Sequence, residues 1–255
     1  MIQRSMSNAV GARVTINTSL PNSERGLSLV ELMVSIVVGL ILIAAVFNMY
    51  TGSVRSARYT EGFQAIQENG RYGVIALRNG LHLAGYSPVG GVSREIDAFD
   101  MDNSSTTQLV VQTRQPFDCN GLSTDATDGL AVNTYQLNTD TNELTCTGNQ
   151  AGSAAMTVVE GVEAFRVLYG VDQDGDDDTC EPQRYIPYKS TIDSADVVAL
   201  RFAMLVNSGK PIRTKSVSQD VVVLDAALTT PNDRFVRGVF SGTVLLRNNI
   251  SCQNI

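Results

Sequence analysis

The residues whose types and spacing best suggest chemistry lie at the start of a long apolar run: Arg25, Gly26, Leu27 and Glu31. Glu31 is the only charged residue between Leu27 and Met49. A carboxylate inside a membrane helix costs on the order of 2–3 kcal/mol, and somewhat less near the interface. If the chain were cut after Gly26, Glu31 would become the fifth residue, and its carboxylate could pair with the free amine of a neighbouring chain. The alternative is a Glu that is merely tolerated at the interface.

The cysteines form a second group of residues that could react or bind a metal: Cys119, Cys146, Cys180 and Cys252. None belongs to a C-x-x-C motif, and His82 is the only histidine, so a zinc site is disfavoured. In an oxidising compartment we expect disulfides, for which three pairings are possible. We favour the pairing of Cys119 with Cys146 together with that of Cys180 with Cys252. The first disulfide closes a local loop, which should stabilise the folded state by ~3–4 kcal/mol. The alternative is four buried thiols.

An acidic run could bind Ca²⁺, because this ion takes several oxygen ligands. The candidate ligands are Asp172, Asp174, Asp176 and Asp178. An EF-hand loop needs Gly at its sixth position and Glu at its twelfth, but the corresponding residues here are Asp177 and Gln183. We therefore expect a solvated acidic turn and no cofactor, with Ca²⁺ as the alternative.

The apolar run Leu27–Met49 predicts a membrane-spanning helix. Its 23 residues would span about 34 Å, against roughly 30 Å for the hydrocarbon layer. Arg4, Arg13 and Arg25 precede it, which predicts a cytoplasmic N-terminus and an exported C-terminal part. A cleaved secretory signal is disfavoured, because bulky residues follow the small pair at 44–45 and the helical pattern continues.

The helical pattern extends beyond the apolar run to about Leu83. Apolar or small residues recur at steps of three and four: Phe63, Ile66, Gly70, Val74, Leu77 and Leu81. Several glycines weaken this stretch, so it must pack on a folded domain: Gly62, Gly70, Gly73 and Gly80. We expect one helix, membrane-spanning over 27–49 and amphipathic over 50–86, preceded by a leader at 1–26.

From residue 87 to 255, short apolar runs between polar turns predict a β-rich head domain. The predicted strands are Gln108–Thr113, Leu130–Leu137, Glu143–Thr147, Glu163–Val171, Val197–Val206, Val221–Leu224 and Val236–Leu246. A hairpin loop is expected at 138–142. The predicted core residues are Phe99, Tyr135, Phe165, Tyr169 and Phe202. This order of elements predicts an α+β fold in which a mostly antiparallel sheet packs on the apolar face of the helix.

Composition and charge exclude several functional classes. The chain has 255 residues, of which 43% are apolar, so disorder is disfavoured. The net charge of −7 argues against direct binding to nucleic acid. One His and no Trp leave little material for a His-based catalytic or metal site, and we expect no enzymatic activity.

The segment 25–31, R-G-L-S-L-V-E, followed by an apolar helix, resembles the type III prepilin signal of type IV pilins and type II secretion pseudopilins. In that family a membrane peptidase cuts after the Gly and methylates the new N-terminus. The resemblance implies cleavage between Gly26 and Leu27, N-methylation of Leu27 and an assembly role for Glu31. Leu27 replaces the usual Phe, a change that minor pilins tolerate, and Met1 and Met6 are alternative starts.

Three later stretches resemble the PilW group of minor pilins, which is similar to the GspJ pseudopilins. They are LRNGLHLAGY at 77–86, VEGVE at 159–163 and VVALRFAMLV at 197–206. The resemblance implies a single-pass inner-membrane subunit with a periplasmic C-terminal domain, which later enters the pilus at the cell surface. The implied partners are other minor pilins, the major pilin, a prepilin peptidase, the inner-membrane assembly platform and a tip adhesin.

By this resemblance the chain belongs to a tip complex that initiates pilus assembly and supports adhesion and twitching motility. One alternative is a minor pseudopilin of a type II secretion system, which has the same architecture. The other is a membrane-anchored periplasmic enzyme or receptor, for which no cleavage at Gly26 is expected.

Overall fold

A computed structural model describes residues 26, 28–87, 96–124, 129–172 and 181–248 of the chain. Its longest element is helix α1, Leu29–His82, which has 54 residues. The predicted single helix from Leu27 to Leu83 is thus confirmed apart from its ends. The chain divides into two compact units, Met1–Thr51 and Gly52–Ile255.

The described part of the second unit contains ten strands. They are β1 Gln108–Arg114, β2 Leu130–Asn138, β3 Glu143–Thr147, β4 Met156–Glu160, β5 Val162–Val171, β6 Arg184–Pro187, β7 Val197–Asn207, β8 Asp220–Val223, β9 Ala226–Thr229 and β10 Arg237–Leu245. A first sheet has the order β1-β2-β3-β4, a second has the order β10-β7-β5-β6, and β8 pairs with β9 in a ribbon. All strand pairs within them are antiparallel.

The α+β class and the antiparallel pairing are confirmed, but the expectation of one sheet is wrong. The chain leaves the first sheet at Gly161, the single residue between β4 and β5. Its φ of 74° lies in the left-handed region that favours glycine. The Asn207 N–H donates to the Gly161 carbonyl at 2.8 Å, and the Val162 N–H donates to the Asn142 carbonyl at 2.7 Å. This Gly161 junction directs β5 into the second sheet.

The seven strands predicted from sequence are present, with each end within one residue of its expected position. The hairpin loop at 138–142 is also confirmed, and the Asn138 side chain accepts hydrogen bonds from the N–H groups of Asp140 and Thr141. Strands β4, β6 and β9 were not predicted. These three strands have only four or five residues each and lack the long apolar runs of β5 and β7.

Within the second unit, α1 packs on both sheets through its glycines. A Cβ added at Gly73 would lie 2.7 Å from atoms of both Met204 in β7 and Val159 in β4. A Cβ added at Gly70 would overlap the ring of Phe240 in β10, and one at Gly80 would overlap the hydroxyl of Tyr135 in β2. The absence of side chains at these positions therefore allows the helix backbone to approach both sheets.

The buried face of α1 differs from the predicted one at Phe63 and Val74. Ile66, Gly70, Leu77 and Leu81 are buried as expected, but the Phe63 side chain is 48% exposed. Gly62 is buried in its place, where a Cβ would lie 2.6 Å from Ile212. Val74 is partly buried against the core. The contact face follows the small residues because the helix lies so close to its neighbours.

The main hydrophobic core is formed by side chains from α1 and both sheets. The five aromatic residues predicted for the core are buried: Phe99, Tyr135, Phe165, Tyr169 and Phe202. The rings of Phe99 and Tyr169 meet edge to face, with centroids 6.2 Å apart. A smaller cluster of Ala164, Ala203, Leu205 and Val223 lies where the β8–β9 ribbon covers the second sheet.

Candidate assembly site

The N-terminal end of α1 is capped by Ser28, which lies three residues before Glu31. The Ser28 hydroxyl accepts the backbone N–H of Glu31 at 3.2 Å, and the Ser28 carbonyl accepts the N–H of Leu32 at 3.1 Å. This is the first half of a capping box, in which a Ser lies three residues before a Glu. The carboxylate of Glu31 also lies in the first helical turn, where the positive end of the helix dipole favours an anion. The S-x-x-E spacing at 28–31 would have indicated this cap from the sequence.

The part of α1 up to Tyr50 exposes apolar side chains on every side. The large hydrophobic residues from Leu29 to Tyr50 are between 49% and 80% exposed. The helix is long and apolar enough to cross a membrane, and none of its most apolar window is buried in the protein. A helix that is hydrophobic all round and uncovered by its own chain requires an apolar medium or neighbouring helices.

Two hydroxyls in or next to this apolar segment are satisfied by backbone carbonyls of the helix itself. The Ser35 hydroxyl donates to the Glu31 carbonyl at 2.7 Å, and the Thr51 hydroxyl donates to the Asn48 carbonyl at 3.0 Å. Such backbonding removes unpaired hydroxyls from lipid. By contrast, the Glu31 carboxylate is exposed and has no ion pair or side-chain hydrogen bond within the described residues. Within the described residues, this carboxylate is therefore a charge without an ion partner.

Of the two predicted processing residues, the structure describes Gly26. Gly26 is exposed, lies outside the helix and has open space around its Cα. Leu27 lies outside the described residues, so its amine cannot be placed relative to Glu31. The structure thus places Gly26 and Glu31 at the same helix end, and cleavage and methylation stay predictions.

A disulfide links Cys119 to Cys146, the pairing that the sequence favoured. It connects the segment before β2 with β3 across a sequence separation of 27 residues. Asn120 secures the same region, because its side-chain oxygen accepts the Gly148 N–H at 2.7 Å and the Ser153 hydroxyl at 2.6 Å. The predicted partners Cys180 and Cys252 lie outside the described residues.

The candidate calcium ligands are mostly beyond what the structure describes. Asp172 is described, and its carboxylate accepts the Gln183 side-chain amide at 3.1 Å. Asp174, Asp176 and Asp178 lie outside the described residues. Within the described ranges, no group of three His, Cys, Asp or Glu residues could hold a metal ion. Calcium binding therefore stays an untested alternative.

Sequence reasoning missed a charged network at the start of β10. The Arg237 side chain is only 3% exposed and contacts the carboxylates of Glu163, at 2.6 Å, and Asp233, at 2.5 Å. The Arg237 hydrogen bond lowers the pKa of Asp233, while the Asp233 hydrogen bond raises the pKa of Arg237. Asn207 completes the network by donating to Glu163 at 2.8 Å. Because every charge here has a partner, the network has a structural role.

Comparisons with known proteins match two segments of the chain. Residues 21–47 match the prokaryotic N-terminal methylation motif. Residues 124–248 match the type IV pilus-assembly protein W family, PilW. Among solved structures, a type IV-like pilin from Thermus thermophilus is similar at 16% identity and a TM-score of 0.41, covering 72% of this chain and 97% of that one. No curated protein matches the chain.

The two sequence matches fall on separate features of the structure. The methylation motif includes Gly26 and Glu31 and the first turns of α1, and the PilW match runs from just before β2 to the end of β10. The chain is therefore a type IV pilin-like protein with a PilW domain and a prepilin methylation motif.

Proposed function

We propose that this protein is a non-enzymatic minor pilin that helps to initiate type IV pilus assembly from the inner membrane and then lies at the pilus tip. The observation that carries this proposal is the unpaired carboxylate of Glu31 on an apolar helix whose hydroxyls at Ser35 and Thr51 are satisfied locally. An isolated charge in lipid is unfavourable, and it becomes favourable only when an opposite charge lies beside it.

The counter-charge is the amino terminus of a neighbouring pilin. Cleavage after Gly26 would create such an amine on each subunit, and the exposure of Gly26 outside the helix suits attack by a peptidase. Leu27 would then be the first residue and would be methylated. Lateral pairing of Glu31 with a neighbour's amine neutralises both charges within the lipid. The exposed apolar side chains of α1 then pack against the neighbour's helix.

The charge distribution supports a periplasmic C-terminal domain. Residues 1–26 hold three Arg and one Glu, and a positive segment before a membrane helix stays in the cytoplasm. A domain with a disulfide between Cys119 and Cys146 suits the oxidising periplasm. Its partners would be other minor pilins, the major pilin, the assembly platform and a tip adhesin, with adhesion and twitching motility as the cellular outcome.

The decisive experiment compares three substitutions as the sole copy of the gene. Glu31→Ala removes the whole carboxylate side chain, whereas Glu31→Gln keeps a side chain of the same size and removes only the charge. Ser35→Ala removes a locally satisfied hydroxyl from the same apolar segment and serves as the matched control. We expect both Glu31 variants to insert and to be processed but to yield no assembled pili, and Ser35→Ala to assemble normally.

Normal piliation by Glu31→Gln would refute charge pairing as the role of Glu31. Mass analysis of the mature N-terminus, from membranes with and without the prepilin peptidase, checks the processing step separately. An uncut chain in the presence of active peptidase would contradict the proposal and favour an anchored enzyme or receptor. Loss of enzyme secretion rather than of twitching in a deletion strain would assign the chain to a type II secretion system.

A further inference from the structure

A cleft in the second unit gathers positive charge that the fold leaves unneutralised. It has a volume of about 430 Å³ and lies between α1 and the loop that follows β7. Its cations are Arg55 from the helix and Arg213 and Lys215 from the loop, and it contains no carboxylate. This grouping is unexpected in a protein with 26 acidic and 19 basic residues.

The fold holds the cleft in place through the helix and the loop backbone. Ile212 packs on α1 at Gly62, where the missing side chain makes room for it. The N–H groups of Ile212 and Arg213 both donate to the Arg234 carbonyl, at 3.0 and 2.9 Å, and the Val217 N–H donates to the Asp233 carbonyl at 2.8 Å. The loop cations are therefore presented by a fixed backbone.

The charges of two of these side chains are available to an external anion. Arg55 and Lys215 are exposed and have no ion pair or hydrogen bond within the described residues. Nearby Lys210 differs, because it lies 3.6 Å from the carboxylate of Glu61. Arg213 donates a hydrogen bond to the neutral side chain of Gln219 at 2.9 Å. Its positive charge also lowers the pKa of Asp233, but that carboxylate already accepts hydrogen bonds from Arg237. The cleft can therefore accept negative charge without breaking an internal salt bridge.

The cleft also has the apolar surface that an amphiphilic ligand would need. Its walls include the side chains of Ile212, Val217 and Tyr59, and the last two are 39% and 50% exposed. Arg55 follows Met49, the end of the apolar run, by only six residues in the sequence. Tyr50 and Tyr59 are both exposed in this region, and tyrosines are enriched at the membrane–water interface.

We propose that this cleft binds the phosphate group of an anionic phospholipid at the membrane surface, with Arg55 and Lys215 as the principal ligands. The combination of unpaired cations, exposed apolar walls and a short connection to the membrane helix favours lipid over a neighbouring subunit's carboxylate. The inference rests on the membrane anchoring in the proposed function but not on the role at the pilus tip. Bound lipid would hold the subunit in the membrane until assembly.

The test uses the full-length protein in detergent micelles doped with equal amounts of phosphatidylcholine and phosphatidylglycerol, and retained lipids are counted by native mass spectrometry. The variant is Arg55→Gln with Lys215→Gln. The matched control is Arg58→Gln with Lys189→Gln, which removes the same charge from two exposed residues outside the cleft. Each basic residue beside an anionic surface strengthens binding about fivefold, so the cleft variant should retain phosphatidylglycerol about 25-fold more weakly.

The wild-type protein and the control variant should retain phosphatidylglycerol in preference to phosphatidylcholine. An absence of this preference, or an equal loss in the control, would overturn the proposal. Inorganic phosphate provides a further arm, because equally strong binding of phosphate in micelles without phosphatidylglycerol would assign the cleft to a free anion. The outcome is independent of pilus assembly, since Glu31→Gln should lose piliation and keep lipid retention, whereas the cleft variant should lose lipid retention.

Discussion

The close contact of α1 with β10 predicts that Gly70→Ala destabilises the second unit, although Ala is the better helix former. An added Cβ would lie 2.5 Å from Cγ of Phe240, against about 3.4 Å for the lower end of ordinary contact. Rotation of the ring about χ2 leaves Cγ in place, so relief requires the side chain or the strand to retreat by nearly 1 Å. Overpacking of this kind costs about 1–3 kcal/mol, and the gain in helix propensity is about 1 kcal/mol.

We therefore expect Gly70→Ala to lower the free energy of unfolding, by up to about 2 kcal/mol. The assay is urea unfolding of the fragment 52–255, which comprises the second compact unit. Phe240→Ala provides the matched background, because it removes both Cγ and the ring that the new methyl group would meet. In that background Gly70→Ala should be neutral or stabilising by up to about 1 kcal/mol. If Gly70→Ala alone left the urea midpoint unchanged or raised it, the reasoning from the contact would be refuted.

The disulfide and the charged network give two further predictions. Replacing Cys119 and Cys146 by Ala should lower the free energy of unfolding by about 3–4 kcal/mol, given the separation of 27 residues; urea unfolding of both forms checks this, and a loss below about 1 kcal/mol would contradict it. Arg237→Met should destabilise the fragment by about 3 kcal/mol, because Glu163 and Asp233 would lose their shared cation. Because Arg237 lowers the pKa of Asp233 below its ordinary 3.8, the Asp233 contribution is complete above that pH and is lost as the pH falls through the folded-state pKa. Acid titration of stability should therefore be steeper below pH 3.8 for the wild type than for Arg237→Met.

The sequence predicts elements best where apolar residues form long runs. Strands β5 and β7 are buried over most of their length, and both were located to within one residue. β6, with the sequence RYIP, was missed because it is short, polar at its start and closed by a proline, and it pairs only with β5. Such a strand exists because its neighbour offers an edge, which is tertiary information.

The candidate site shows the same division between local and long-range information. Gly26 and Glu31 are separated by five positions, so their relation is visible in the chain itself. The Arg237 network joins residues that are 74 positions apart, and no local pattern indicates it. The preference for Gly62 over Phe63 on the buried helix face likewise depends on Ile212, which packs there from a distant loop.

The Gly161 junction has a mechanical consequence for the proposed role in a pilus. A single residue connects the two sheets, and the N–H groups of Val162 and Asn207 donate hydrogen bonds next to it. One sheet therefore cannot move away from the other unless these hydrogen bonds break. Tension applied to the head should therefore be carried by both sheets together until they rupture in a single step, and a spacer inserted at this position would uncouple them.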